Sequence, residues 1–340
     1  MNLVYSIASN GDDSYARMLR VSVASVRLSN PGTKVTLAAD TFTLSALHER
    51  SNPVLGEVDE VVAVAAPEGT AEFRSRFVKT GLRSSVDGPF LYLDADTLVR
   101  GPLEPVFQSP ADVAGALNHS RDTFGEQIWS GNEQVWETMG WRLGRSHYLN
   151  GGLLYLADTE AAREFGRLWH RSWSESASRL GRNFDQPALN YALHQSPVRL
   201  TILPHRYNAQ FMYSPSVALD AAIWHYYSIN GGDPITAYGI LLNQLERGLK
   251  FDPSLVRPLV RCRHPWRREL WLDDLAARSV KDKPKLDDED LLWFRGERWA
   301  SIRLRLRRAF RRSVLIMPGG ARLLGARRKR SAGAESKIGT

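Results

Sequence analysis

Short apolar runs alternate with longer segments of helical periodicity along roughly the first hundred residues of this chain. Residues 3–8 are a mainly apolar stretch broken only by Ser6, the pattern of a strand buried on both faces. The polar loop Asn10-Gly11-Asp12-Asp13-Ser14 ends it, and Met18, Leu19, Val21, Val23 and Val26 then place a helix over Tyr15–Leu28. Ser29-Asn30-Pro31-Gly32 is a clear helix stop. Further strands are predicted at Lys34–Ala39, Glu60–Ala65 and 89–94, with a helix over Phe73–Ser85 before the last of them. This alternation predicts an α/β fold: a doubly wound, mixed but mostly parallel sheet flanked by helices.

The pattern continues with a strand over Leu149–Leu156, a helix over Thr159–Ser178 that carries Trp169 and Trp173, and a short helix over Pro187–His194. A strand follows at Val198–Leu203, and residues 222–227 read as a final core strand before the turn-rich Asn230-Gly231-Gly232-Asp233-Pro234. No internal repeat is evident. The expected organisation is a body over 1–250, a helical basic extension over 251–325 and a disordered tail over 326–340.

Composition sharpens this picture in three ways. At 340 residues and 43% hydrophobic, the chain can bury a large core. Its single cysteine, Cys262, excludes an internal disulfide and suits a reducing compartment. The first residues lack a basic segment and a long apolar run, so a cytoplasmic chain is expected. The net charge of +8 is unevenly spread: Arg295–Thr340 carries +12, which leaves −4 for the rest.

The segment richest in chemistry is Phe90-Leu91-Tyr92-Leu93-Asp94-Ala95-Asp96, where an apolar strand ends in two carboxylates spaced i, i+2. At a strand end this spacing lets both side chains converge on one point. Carboxylates are hard oxygen donors suited to Mg²⁺ or Mn²⁺, and the carboxyl edge of a parallel sheet is where nucleotides bind. The competing reading is a pair of surface aspartates opening a turn. One helix earlier, Arg76 and Lys79 share a helix face and could reach phosphates or ribose; alone they would be a solvated basic edge.

Several segments together resemble the nucleotide-sugar glycosyltransferases of the GT-A fold, most closely glycosyltransferase family 8 and its relatives. Asp94-Ala95-Asp96 resembles the family's Asp-x-Asp motif, and Leu149-Asn150-Gly151-Gly152 its Asn-x-Gly strand. Asp185-Gln186 is similar to the pair beside the anomeric carbon, while Leu203-Pro204, Tyr207-Asn208 and Trp224-His225-Tyr226 complete the family's order. The resemblance runs from about Asn2 to Pro234. It implies a metal held by Asp94, Asp96 and His225, with Mn²⁺ somewhat better suited than Mg²⁺ because imidazole is a softer donor. It implies donor contacts from Ala8, Asp12, Tyr15, Arg76, Lys79, Asn150 and Gly152, and catalytic roles for Asp185 and Gln186.

The implied activity is transfer of a sugar from a nucleotide diphosphate sugar, a UDP-sugar in particular, to an acceptor hydroxyl with retention of configuration. Pro187 stands where many relatives carry a second acid, and no lysine follows His225, two departures that bear on donor and stereochemistry. Without the resemblance, Asp12 and Asp13 would be helix caps, Tyr15 a half-buried aromatic and His225 a core histidine. Trp129, Trp136 and Trp141 are either an acceptor wall or a satellite hydrophobic cluster.

Residues 299–317 place Ile302, Leu306, Phe310, Val314 and Met317 on one face among arginines, an amphipathic cationic pattern. It suggests peripheral contact with an anionic membrane and a saccharide or lipid-linked saccharide acceptor; no nucleic-acid motif accompanies it. The alternatives are a catalytically inactive nucleotide-sugar-binding or membrane-associated protein and, less favoured, a metal-dependent phosphatase. The latter would put its Asp-x-Asp after the opening strand, whereas this one is internal.

Overall fold

The computed structural model describes residues 1–262 and 265, apart from Asp12, Leu143, Arg145 and 228–235. The basic extension from 266 onward, including 299–317 and the tail, therefore lies outside the described residues, as does the Gly231-Gly232 turn.

In chain order the elements are β1 (Asn2–Ile7), α1 (Ser14–Ser29), β2 (Lys34–Asp40), α2 (Thr41–Glu49), α3 (Val54–Glu57) and β3 (Glu60–Val64). Next come α4 (Ala71–Ser85), β4 (Phe90–Leu93), β5 (Thr97–Val99), α5 (Glu104–Phe107), β6 (Val113–Leu117), α6 (Ser130–Met139) and β7 (Leu149–Leu156). Then follow α7 (Glu160–Leu180), α8 (Gln186–Gln195), β8 (Leu200–Leu203), β9 (Ile223–His225), α9 (Ala237–Glu246) and α10 (Arg257–Arg261).

Local signals explain most boundaries. Asp13 caps α1, its carboxylate accepting from the Tyr15 and Ala16 amides. Asp40 caps α2 and Thr70 caps α4 in the same way. A seven-stranded sheet has the order β3-β2-β1-β4-β7-β6-β8. Its pairs β1–β2, β1–β4, β2–β3 and β6–β8 are parallel, and β7 runs antiparallel to both β4 and β6. The sheet is thus mixed and mostly parallel, as the alternation predicted. The side carrying α4 and α7 is sealed by Val78, Leu82, Phe90, Leu154, Phe165, Trp169 and Trp173, all buried.

Two elements differ from expectation. Residues 222–227 do not join the main sheet. Only Ile223–His225 is extended, and it pairs antiparallel with β5 as a separate two-stranded sheet. The apolar pattern was real, because Ile223, Trp224 and His225 are buried, but a buried strand of three residues does not announce its partner. Conversely, β6 was not anticipated. Its sequence Val-Ala-Gly-Ala-Leu lacks the β-branched density of a strand. Gly115 packs closely there: a Cβ would stand 3.0 Å from Leu149 Cδ1 and 3.1 Å from Leu154 Cδ2, so both leucines would have to give.

Residues beyond 250 continue to pack on the body. Val256 and Leu259 are buried, and Arg100 donates to the carbonyls of Val260 and Cys262 while its guanidinium lies 3.6 Å over the Trp224 ring. No helix among the described residues is long and apolar enough to cross a membrane.

Candidate active site

The carboxyl ends of β1 and β4 open into a cleft of about 400 Å³. Ser6, Ala8, Tyr15, Arg76, Tyr92, Asp94 and Asp96 are among the residues that line it. β4 ends at Leu93, and the Asp94 amide donates to Gly152 O at 2.9 Å, which ties the turn to β7. Asp96 precedes β5, whose Thr97 is in register with His225 on β9. The small sheet therefore delivers the imidazole to the same turn that presents both carboxylates.

His225 Nε2 lies 3.3 Å from Asp96 Oδ1 and 4.0 Å from Asp94 Oδ2. One ligand atom from each residue falls within 4.8 Å of the others. Asp96 Oδ1 and His225 Nε2 are both buried and face each other, with no other side chain or backbone group bonded to either atom. Two carboxylates and an imidazole in this arrangement fit a divalent cation. The charges also shift each other's titration. Burial pushes the Asp96 carboxyl up, but attraction to His225 and Lys79 outweighs it and holds the group below the ordinary carboxylate range. Burial likewise pushes His225 down, and the two aspartates reverse this and raise it.

Behind the turn sits a second charge cluster. Lys79, only 3% exposed, places Nζ 3.1 Å from Asp94 Oδ1 and 3.1 Å from Asp185 Oδ2. Arg76 Nε is 3.2 Å from Asp185 Oδ1. The two cations do share a face of α4, and that face is turned to carboxylates of the protein itself. Tyr92 Oη donates to Asp94 Oδ1 and lies 3.2 Å from Ser6 Oγ. Burial first, and then the Asp94 charge, raises the Tyr92 phenol well above its ordinary value and keeps it a donor.

Asp185 is the residue before α8, and its side chain makes no capping bond because Arg76 and Lys79 hold it. Gln186 opens α8, with Oε1 accepting from Gly151 N at 3.1 Å and from Asn150 Nδ2 at 3.2 Å. Asn150 itself is 2% exposed. Gly152 leaves room that any side chain would take, since a Cβ there would strike His225 Cε1 and stand 2.9 Å from Asp94 Oδ2. Ala8 is buried at the cleft wall and Tyr15 is 55% exposed over it, while Asp12 lies outside the described residues.

The tryptophans separate. Trp136 is buried edge-on to Tyr148, and Trp141 stacks on Tyr191 with centroids 4.5 Å apart. Trp129 is 53% exposed against Phe184, the residue before Asp185. Sequence reading missed the polar residues behind the site, Asn118 and Gln210, which bond Asn150 (Nδ2 to Asn118 Oδ1 3.0 Å, to Gln210 Oε1 3.3 Å). They carry no motif; Asn208 stood in a quoted segment, but only the fold shows it beside His225.

A mixed, mostly parallel sheet with two carboxylates at its carboxyl edge, met there by an imidazole from a separate two-stranded sheet, is an arrangement suited to binding a nucleotide. Residues 35–225 match the nucleotide-diphospho-sugar transferase family, more than half of the chain. The chain belongs to that family and is a glycosyltransferase related to glycosyltransferase family 8. Among solved structures it is similar to the galactosyltransferase LgtC in complex with donor and acceptor sugar analogues, with a TM-score of 0.50 and 18% identity over 76% of this chain and 99% of that one. That likeness is one of fold. The glycosyltransferase GlyE of Streptococcus pneumoniae TIGR4 matches with a TM-score of 0.49 and 16% identity, over 82% of this chain and 73% of that one. No curated protein sequence is significantly similar to the chain.

Proposed function

We propose that this glycosyltransferase moves a sugar from a UDP-sugar to a saccharide hydroxyl, with retention, at a Mn²⁺ or Mg²⁺ site formed by Asp94, Asp96 and His225. The observation that carries this reading is the convergence of three ligand atoms within 4.8 Å, two of them from aspartates that line the cleft. A bound cation would act as a Lewis acid on the diphosphate leaving group. The cleft volume suits a nucleotide, with Tyr15 available to stack on the base and Ala8 allowing close approach.

Retention is supported by what stands beside the cation site. Gln186 is an amide and a poor nucleophile, and its oxygen is already committed to Gly151 and Asn150. Asp185 is gripped by Arg76 and Lys79, which lowers its availability to attack carbon and leaves it to orient the sugar and face positive charge as it develops. Departing phosphate then takes the acceptor proton on the same face. Trp129, exposed beside Phe184, offers an apolar ring face to the acceptor saccharide.

Thermal melting with a panel of nucleotide sugars, with and without Mn²⁺, tests donor and metal together. UDP-sugars are expected to raise Tm only with metal present. Donor hydrolysis by wild type and Asp94→Asn tests turnover: loss in the variant is expected, and equal Mn²⁺-dependent rates would reject the site.

A further inference from the structure

Buried side-chain amides link the candidate cation site to Gln186, and their polarity can be read outward from the backbone. The Gly152 N–H can only donate, so the Asn150 atom 2.8 Å away is its oxygen. Asn208 Nδ2 faces that same oxygen at 2.9 Å, which makes this end of Asn208 the NH₂. Its other end, Oδ1, lies 2.8 Å from His225 Nδ1, and an amide oxygen only accepts. His225 Nδ1 must therefore carry a proton, and Nε2 is the ring atom left facing Asp96 and Asp94.

The same logic runs to Gln186. Gly151 N–H donates to Gln186 Oε1 at 3.1 Å, and Asn150 Nδ2 points at that oxygen from 3.2 Å. With both lone pairs addressed, Gln186 can offer a substrate only its NH₂ end. Asn150 has no capacity left over: its oxygen takes two donors, and its NH₂ is surrounded by acceptors on Asn118, Gln186 and Gln210. The backbone is bent to keep this arrangement. His119 and Ser120 sit in the left-handed region at φ 58° and 49°, where His119 N reaches Gln210 Oε1 and Ser120 Oγ reaches Asn208 O.

We infer that Asn208 and Asn150 are positioning residues rather than donor contacts: through them the Gly152 amide sets which nitrogen of His225 is free for a cation, while Asn150 and the Gly151 amide together set which end of Gln186 meets the sugar. The function of this relay rests on the metal-dependent reading above, but the relay itself does not. Hydrogen bonds of this kind to the second nitrogen of a metal-binding histidine fix its tautomer and affinity.

Long-range ¹H–¹⁵N correlation on metal-free wild type at alkaline pH reads the tautomer directly, with His225→Gln used to assign the signal. A proton on Nδ1 is expected, and a neutral ring protonated on Nε2 overturns the relay whether or not metal binds. Mn²⁺ affinity, followed by the electron paramagnetic resonance of the free ion, gives the second arm. Asn208→Leu should weaken binding roughly 10- to 100-fold. Unchanged affinity in a folded Asn208→Leu protein overturns the proposal; if that variant does not fold, the tautomer decides. Failure of wild type to bind Mn²⁺ would instead sink the metal-dependent function and leave the tautomer to judge the relay.

Discussion

Lys79 Nζ lies 3.1 Å from Asp185 Oδ2, and the lysine is 3% exposed. Because the same ammonium also touches Asp94, one buried cation joins the acid beside Gln186 to an acid of the cation site. Replacing it by methionine keeps the volume and removes the ammonium the two carboxylates share, leaving Asp185 to Arg76 and Asp94 to Tyr92 and His225. Lys79→Met should cost about 3 kcal/mol of stability, measured by urea unfolding without metal. Added Mn²⁺ should recover part of that loss, since a cation held by Asp94, Asp96 and His225 would restore positive charge beside Asp94.

Gly152→Ala tests how closely β7 approaches the site. The new methyl would meet His225 and stand 2.9 Å from Asp94 Oδ2 and from Asn150 Oδ1, so these site side chains would have to shift. Transferase activity is expected to fall at least about 100-fold, since small misplacements at a reacting site cost that much. Wild-type activity in the variant would mean that His225 has freedom the packing denies it.

Asp112 offers a pH signature away from the cleft. The Arg199 side chain, then its backbone amide and Thr159, hold the carboxyl at about 2 against the opposing effect of burial. An unfolded aspartate titrates near ~3.9. The folded value is depressed, so the stabilisation is complete above about pH 4 and is lost as pH falls toward 2. Calorimetric melts of wild type and Asp112→Asn should therefore differ most near neutrality and converge as the solution is acidified through that window.

Arg100 clamps the segment after α10 by stacking on Trp224 and donating to the Val260 and Cys262 carbonyls. Cys262 is the chain's only thiol and is partly buried, which raises its pKa. Arg100→Ala should speed labelling of Cys262 by a thiol reagent several-fold while the main unfolding transition moves by about 1–2 kcal/mol. An unchanged labelling rate would show that the segment is held by other contacts.

Trp129 is exposed and packs edge-on to Phe184, the residue before Asp185. Trp129→Ala should raise KM for the acceptor and leave KM for the donor unchanged. Urea midpoints should move by no more than about 0.5 kcal/mol, as for a surface site.

The alternation of β1 through β4 was legible because each strand of a parallel sheet is buried on both faces and reads as a mainly apolar run. Asp94 and Asp96 were legible for an equally local reason: two carboxylates at i, i+2 where such a run stops. β6 escaped because Ala and Gly supply a close fit to β7 rather than a pattern of their own. The direction of Lys79 and Arg76 escaped as well. A helical face can be inferred from spacing, but whether it meets phosphate or Asp185 depends on where α8 begins in space.

Sequence alone determined the alternating architecture, the acidic turn after β4 and the order of the motifs that mark a nucleotide-sugar transferase. The first two follow from hydrophobic period and short-range spacing, which survive in one dimension, and the third from resemblance to a known family. Tertiary structure alone decided that His225 reaches the turn from a separate two-stranded sheet, that Asn208 dictates its tautomer, and that Lys79 spans Asp94 and Asp185. Each of those relations joins residues far apart in the chain, and only the closing of the sheet brings their polar atoms within hydrogen-bonding reach.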